Sequence, residues 1–128
     1  MLLDGAHNPA GARTLADLLV ESFPARPRAF VLGVSGDKPV RRIIESFRID
    51  DHDHDHCCAA QNPRALPPDQ LAAIVAEATG ARTDVCPTVS EAVDRARNTA
   101  GPGGLVVVTG SLYVVAEARV ELGLAGAQ

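Results

Sequence analysis

The chain has 128 residues, is 46% hydrophobic and carries a formal net charge of −4, which suits one domain with a real core and excludes the basic footprint of a nucleic-acid binder. Three Phe, one Tyr and no Trp leave no stacking platform for single strands, so Leu, Val, Ile and Ala must fill the interior. With no apolar run near membrane-span length, no charged-then-apolar leader and three cysteines that make no disulfide framework, the expectation is a soluble cytoplasmic protein.

Leu2–Leu3 reads as the stub of a strand. Ala12, Leu15, Ala16 and Leu19 then recur at helical spacing, with Pro9 where a helix can start. Arg28–Val34 is a continuous apolar run of the kind a buried parallel strand shows, SGDKP is a loop, and Val40–Phe47 reads as a short helix. Asp55–Ala60 (DHCCAA) is a weak third strand followed by the loop QNPRALPP. Asp69 sits in the first turn of the next helix, Leu71, Ile74, Val75 and Ala78 line its face, and Gly80 stops it. Thr88-Val-Ser-Glu91 is a capping box ahead of Val89, Ala92, Val93 and Ala96. AGPGG is a turn, Leu105–Thr109 (LVVVT) is the clearest buried strand, and Gly110-Ser111 opens a last helix through about Leu122. Strands alternating with helices predict a three-layer, Rossmann-like α/β domain with a mostly parallel sheet.

In such a sheet, ligands bind outside the carboxyl ends of the strands, where helix N-termini offer free N–H groups to anions. Three strand-to-helix turns carry the notable polar residues: Asp4-Gly-Ala-His7-Asn8-Pro9, Ser35-Gly-Asp37-Lys38 and Thr109-Gly110-Ser111. A fourth polar loop, Gln61-Asn62-Pro63-Arg64, leaves the weak strand, and all four are expected on one edge of the sheet. Each residue also has a purely structural reading. Asp4, Asn8 and Ser111 suit helix caps, and Lys38, the only lysine in the chain, and Arg64 suit solvated surface charges. Neither G-x-G-x-x-G after the first strand nor G-x-x-x-x-G-K-[ST] occurs, so a self-sufficient dinucleotide or NTPase site is not expected.

Taken in order, LLDGAHNPAGARTL, LGVSGDKPV, NPRALPPDQL and VVVTGSLYVVAEAR resemble the C-terminal domain of the folylpolyglutamate synthase/dihydrofolate synthase family of Mur-ligase-like, ATP-dependent amide ligases. The D-G-A-H-N-P turn is the specific piece, and its A-H-N-P portion favours the folate branch over Mur ligases of cell-wall precursors. The resemblance implies a partner N-terminal P-loop domain that holds Mg²⁺, with this domain closing over ATP. ATP would phosphorylate the carboxylate of dihydropteroate or of a folate, and the amine of L-glutamate would attack the acyl phosphate. The acyl phosphate must be kept from water, which favours a cleft that closes. By resemblance, Asp4 contacts ATP through the ribose, His7 is a catalytic and nucleotide-facing group near the phosphates, and Asn8 lies beside it. Lys38 and Ser111 are expected nucleotide-binding residues on facing loops, and Arg64 matches a family position without an assigned role. The family's phosphate loop, metal-binding residues, pterin pocket and an ATP-facing arginine have no counterpart here. Residues 1–128 are therefore expected to be a single such domain, inactive alone, from a monomeric parent, with no metal ligand of its own.

Asp50-Asp-His-Asp-His-Asp-His56 departs from the family, which has an apolar lead-in at this point. In extended chain, alternation puts His52, His54 and His56 on one face and Asp51, Asp53 and Asp55 on the other. Imidazole with thiolate from Cys57 or Cys58 suits Zn²⁺ or Ni²⁺, which gives an alternative reading as a non-catalytic, metal-holding module. Against it, imidazoles at i, i+2 converge poorly on a tetrahedral ion and no second Cys/His cluster closes the site. The expectation is a solvated, charge-rich loop before a short strand, with Cys57 and Cys58 pointing to opposite sides as small core residues.

Overall fold

Strands and helices alternate strictly through residues 1–123, the part of the chain described by this computed structural model. In chain order they are β1 (Leu2–Leu3), α1 (Pro9–Ser22), β2 (Arg28–Leu32), α2 (Val40–Ser46), β3 (His54–Cys57), α3 (Pro68–Thr79), β4 (Arg82–Val85), α4 (Val89–Ala100), β5 (Leu105–Thr109) and α5 (Leu112–Glu121). The strands pair in the order β1-β5-β2-β3-β4, every pair parallel. This is the expected three-layer α/β fold. No described helix is long and apolar enough to cross a membrane.

The two faces of the sheet are packed differently. Phe30, Leu32 and Val107 meet Leu15 and Leu19 of α1, Ile43 and Ile44 of α2, and Leu71 and Val75 of α3. On the other face Ala29, Val31, Val106 and Val108 meet a face of α4 made of Val89, Ala92, Val93 and Ala96, with Val114 and Ala118 of α5. Each large side chain on the first face contributes about 1.5–3 kcal/mol by leaving water. β2 and β5 are buried at every position because helices cover both sides, which is why they read as unbroken apolar runs.

Local chemistry sets the helix ends. Asn8 accepts the Gly11 N–H at α1, where Pro9 takes the first position, and Thr88 accepts the Glu91 N–H at α4. Gly80 ends α3 in the left-handed region at φ 72°, its N–H returned to the Ala76 carbonyl.

One element went unread in the sequence, and one expectation requires correction. β4 is a strand that periodicity did not reveal: Arg82–Val85 is an edge strand with exposed ends, held by its ladder to β3. The acidic–histidine segment is no solvated loop either. β3 begins at His54, and Asp53, Asp55 and His56 are buried. Asp53 accepts from Arg28 at 2.9 and 2.6 Å and from Arg26 at 2.9 Å, and it also takes the Asp50 N–H at 3.0 Å. Counter-ions from elsewhere in the chain let these charges enter the interior. Both oxygens of Asp55 lack a hydrogen-bond partner; burial, reinforced by the nearby Asp53 charge, pushes its carboxyl well above the usual carboxylate range, against the opposing pull of Arg28. Asp51 and His52 remain in an exposed turn, which keeps His52 apart from the other two imidazoles of the segment. Cys57 and Cys58 do face opposite cores, and burial pushes the Cys58 thiol up to about 12.

Candidate functional site

Backbone contacts sew the strand exits at the carboxyl edge together. The Asp4 N–H extends the β1–β5 ladder to Val108 O (3.0 Å), and the Gly110 N–H reaches Ala6 O (3.1 Å). Gly110 has φ 104°, and a Cβ there would collide with the Gly33 carbonyl, so the turns after β2 and β5 touch through bare backbone. The loop after β3 is pinned to the turn after β2 by Gly36 N–H to Arg64 O (2.7 Å), by Leu66 N–H to Val34 O (2.9 Å) and by a bridge between Ser35 and Ala65.

These contacts shape a groove of about 160 Å³ at the rim, into which His7, Lys38, Arg64 and Ser111 converge. Ser35, Asp37, Leu112 and Tyr113 complete its walls. Asp4 and Asn8 do not line it; both hold the turn that carries His7. Asp4 Oδ1 accepts the Ala6 N–H at 2.9 Å, and Asn8 Oδ1 accepts the Gly11 N–H at 2.7 Å. The His7 Nδ1 lies 2.9 Å from Gly5 O, and a carbonyl only accepts, so Nδ1 carries a hydrogen and Nε2 is left to meet a ligand. Ser111 Oγ caps α5 by accepting from Tyr113 and Val114 N–H at 3.0 and 3.3 Å. Its hydroxyl hydrogen remains available to an acceptor in the groove.

Neither Lys38 nor Arg64 makes an ion pair among the described residues, so two cationic groups face the groove with Asp37 in its wall but bonded to neither. The donor set of amine, guanidinium, imidazole and hydroxyl fits a phosphate. A larger cleft of about 480 Å³ between α1 and α2 is lined by Arg13, Arg42 and Arg48 together with Asp17 and Glu45, and Asp17 pairs with Arg48 across it.

Leu112 and Tyr113 are wall residues that pattern reading did not single out. They are 63% and 57% exposed at the mouth of the groove, unusual positions for large apolar side chains. Their available signal was the apolar pair directly after a cap, at a place where a helix normally shows water a polar face.

A second polar cluster lies toward the amino half of the sheet. His54 and His56 share one face of β3, and Asp84 of β4 stands directly across the ladder from His56. Burial lowers the His56 pKa below its usual value.

A protein-family model described as "Mur ligase, glutamate ligase domain" matches residues 1–112. The chain belongs to this family. Among its relatives, a probable bifunctional folylpolyglutamate synthase/dihydropteroate synthase of Haloferax volcanii is 34% identical over 119 residues, covering 93% of this chain and 14% of the relative. The structure of Mycobacterium tuberculosis folylpolyglutamate synthase complexed with ADP and AMPPCP superposes with a TM-score of 0.81 at 33% identity, over 94% of this chain and 29% of that one. The bifunctional folylpolyglutamate synthase/dihydrofolate synthase of Yersinia pestis, complexed with AMPPNP and a Mn ion, gives 0.78 at 26% identity over 95% and 28%. The glutamate ligase domain thus spans between a seventh and three tenths of the length of these relatives.

Proposed function

We propose that this glutamate ligase domain closes over ATP in a two-domain, folate-type ligase whose P-loop domain lies in the remainder of the parent protein. ATP would transfer its γ-phosphoryl to the carboxylate of dihydropteroate or of a folate. The amine of L-glutamate then attacks the acyl carbon, the C–O bond to phosphate breaks, and an amide, phosphate and ADP result. The observation that carries this reading is the convergence of His7, Lys38, Arg64 and Ser111 on one rim groove, with neither cation in an ion pair among the described residues.

The chain's own residues have distinct tasks. Lys38 and Arg64 would offset charge on the transferring phosphoryl group, acting as a preorganised clamp. His7 Nε2 and the Ser111 hydroxyl would orient it, while the Asp4 and Asn8 caps keep the His7 turn in shape. Among the described residues Asp37 is the only carboxylate lining the groove, so Mg²⁺, bound chiefly by carboxylates and phosphates, would be held mainly by the partner domain. The exposed Leu112 and Tyr113 would exclude water as the cleft closes.

The test is steady-state kinetics on the intact parent enzyme, with dihydropteroate, folate and UDP-muramyl acceptors in parallel. His7→Ala and Lys38→Ala should each lower kcat/KM for ATP by about 100-fold, the cost of removing one preorganised donor. Unchanged ATP kinetics in both variants would overturn the site, and turnover of UDP-muramyl substrates alone would overturn the folate assignment.

A further inference from the structure

We propose that His54, His56 and Asp84 bind a divalent transition-metal ion of the Zn²⁺ type on the α4 face of the sheet, remote from the nucleotide groove and independent of the ligase reading. The parallel register of β3 and β4 sets His56 opposite Asp84, while His54, two residues earlier, shares their face. The imidazoles stack with centroids 4.4 Å apart and planes 14° from parallel. His54 Nε2 lies 3.0 Å and His56 Nε2 3.6 Å from the same oxygen, Asp84 Oδ2. The three ligand atoms all lie within 4.8 Å of one another. Ligand atoms around tetrahedral Zn²⁺ sit about 3.3 Å apart, so two edges already bracket the required spacing and a small ring rotation closes the third.

Hydrogen bonding supplies the second argument. His56 Nδ1 lies 3.1 Å from the Phe30 carbonyl, which can only accept, so Nδ1 holds the hydrogen. The Nε2 of the same ring faces the Asp84 carboxylate oxygen at 3.6 Å. Thr99 Oγ1 stands 3.0 Å from that Nε2, but its hydrogen is equally placed for Arg95 O at 3.0 Å. A cation seated between Nε2 and Oδ2 would be bonded by both atoms. The Phe30 carbonyl on the far nitrogen is the outer contact that a metal-bound histidine ordinarily has.

Access fits as well. The His56 side chain is sealed, while those of His54 and Asp84 are 23% and 38% exposed, leaving an entry route and room for a water as fourth ligand. Arg95 of α4 is paired with Glu91 at 2.8 Å. His52, 84% exposed in its turn, takes no part. The His–Asp repeat alone therefore does not make the site; it supplies His54 and His56, and a carboxylate from the neighbouring strand completes the set.

The experiment is titration of the purified, EDTA-stripped full chain with Zn²⁺ by calorimetry, and with Co²⁺ by visible absorption. One ion per chain should bind with Kd of about 1 µM or tighter. The Co²⁺ bands should show tetrahedral intensity, and Zn²⁺ should raise Tm. His54→Ala and Asp84→Asn, both at partly exposed positions, should each weaken binding at least about 100-fold, and His52→Ala should leave it unchanged. Three results each overturn the site: no binding up to about 1 mM, wild-type affinity retained in either ligand variant, or affinity lost in His52→Ala.

Discussion

Arg28 grips Asp53 with both prongs of its guanidinium, Nε to Oδ1 at 2.9 Å and Nη2 to Oδ2 at 2.6 Å, with the two side chains 7% and 0% exposed. The same guanidinium lies 5.4 Å from the Phe30 ring, so it is held by an ion pair on one side and an aromatic on the other. Asp53→Ala leaves Arg28 buried without a counter-ion and should cost about 3–5 kcal/mol. Arg26 reaches the same carboxylate from a half-exposed position, and Arg26→Ala should cost less than about 1 kcal/mol. Urea midpoints decide this: equal losses in the two variants would refute a special role for the buried pair.

Asp55 sets a pH dependence of opposite sign to that of an ordinary ion-paired carboxylate. Its pKa is raised in the folded state by burial, with Asp53 adding to the effect, so above the normal carboxylate pKa the unfolded chain loses a proton that the native chain keeps. The native state binds more protons there, and stability falls as pH rises. The full contribution is present below the unfolded pKa of Asp and is lost toward the raised native one, with a slope approaching about 1.4 kcal/mol per pH unit. Asp55→Asn should remove this slope and leave the protein more stable at neutral pH than the wild type. Denaturation in EDTA buffers across the acid and neutral range provides the comparison; parallel curves for the two proteins would contradict it.

Asn8 allows the helix cap to be separated from the ligand site. Asp caps as well as Asn, so Asn8→Asp should change stability by less than about 0.5 kcal/mol, whereas Asn8→Ala should cost about 1 kcal/mol. In the parent enzyme, Asn8→Asp places a negative charge beside His7 and should raise KM for ATP. If KM stays constant while stability follows the capping order, Asn8 serves α1 alone.

Gly110→Ala should cost about 2–4 kcal/mol, because alanine meets both the positive φ and the Gly33 carbonyl. Gly103→Ala, where nothing lies within 4 Å of an added Cβ, is the control and should be nearly silent. Thermal denaturation of the pair measures the difference, and a Tm unchanged in Gly110→Ala would show that the touching turns yield freely.

Most of the scaffold was legible because its signals are local. Asn8-Pro9, Thr88–Glu91 and Gly80 mark helix ends within a turn, and Leu15–Leu19 or Ala92–Ala96 mark buried faces by spacing alone. The groove was legible for a topological reason: a parallel sheet sends every strand-to-helix turn to one edge, so His7, Lys38, Arg64 and Ser111 had to share it. The misreadings are non-local. Arg82–Val85 has no apolar alternation because it is an edge strand, and the sequence 50–56 appears solvated until Arg26 and Arg28 are known to lie against it. Asp84 belongs to that unnoticed strand, which is why the imidazoles of β3 seemed to lack a partner.

The bridge between Ser35 and Ala65, with Gly36 bound to Arg64, makes two loops into a single plate bearing Lys38 and Arg64. If the groove holds a phosphate as proposed, that plate would act like a caliper whose two jaws are set at their roots by main-chain geometry. Exchanging individual side chains on it would then alter how strongly an anion is held more readily than which anion is selected.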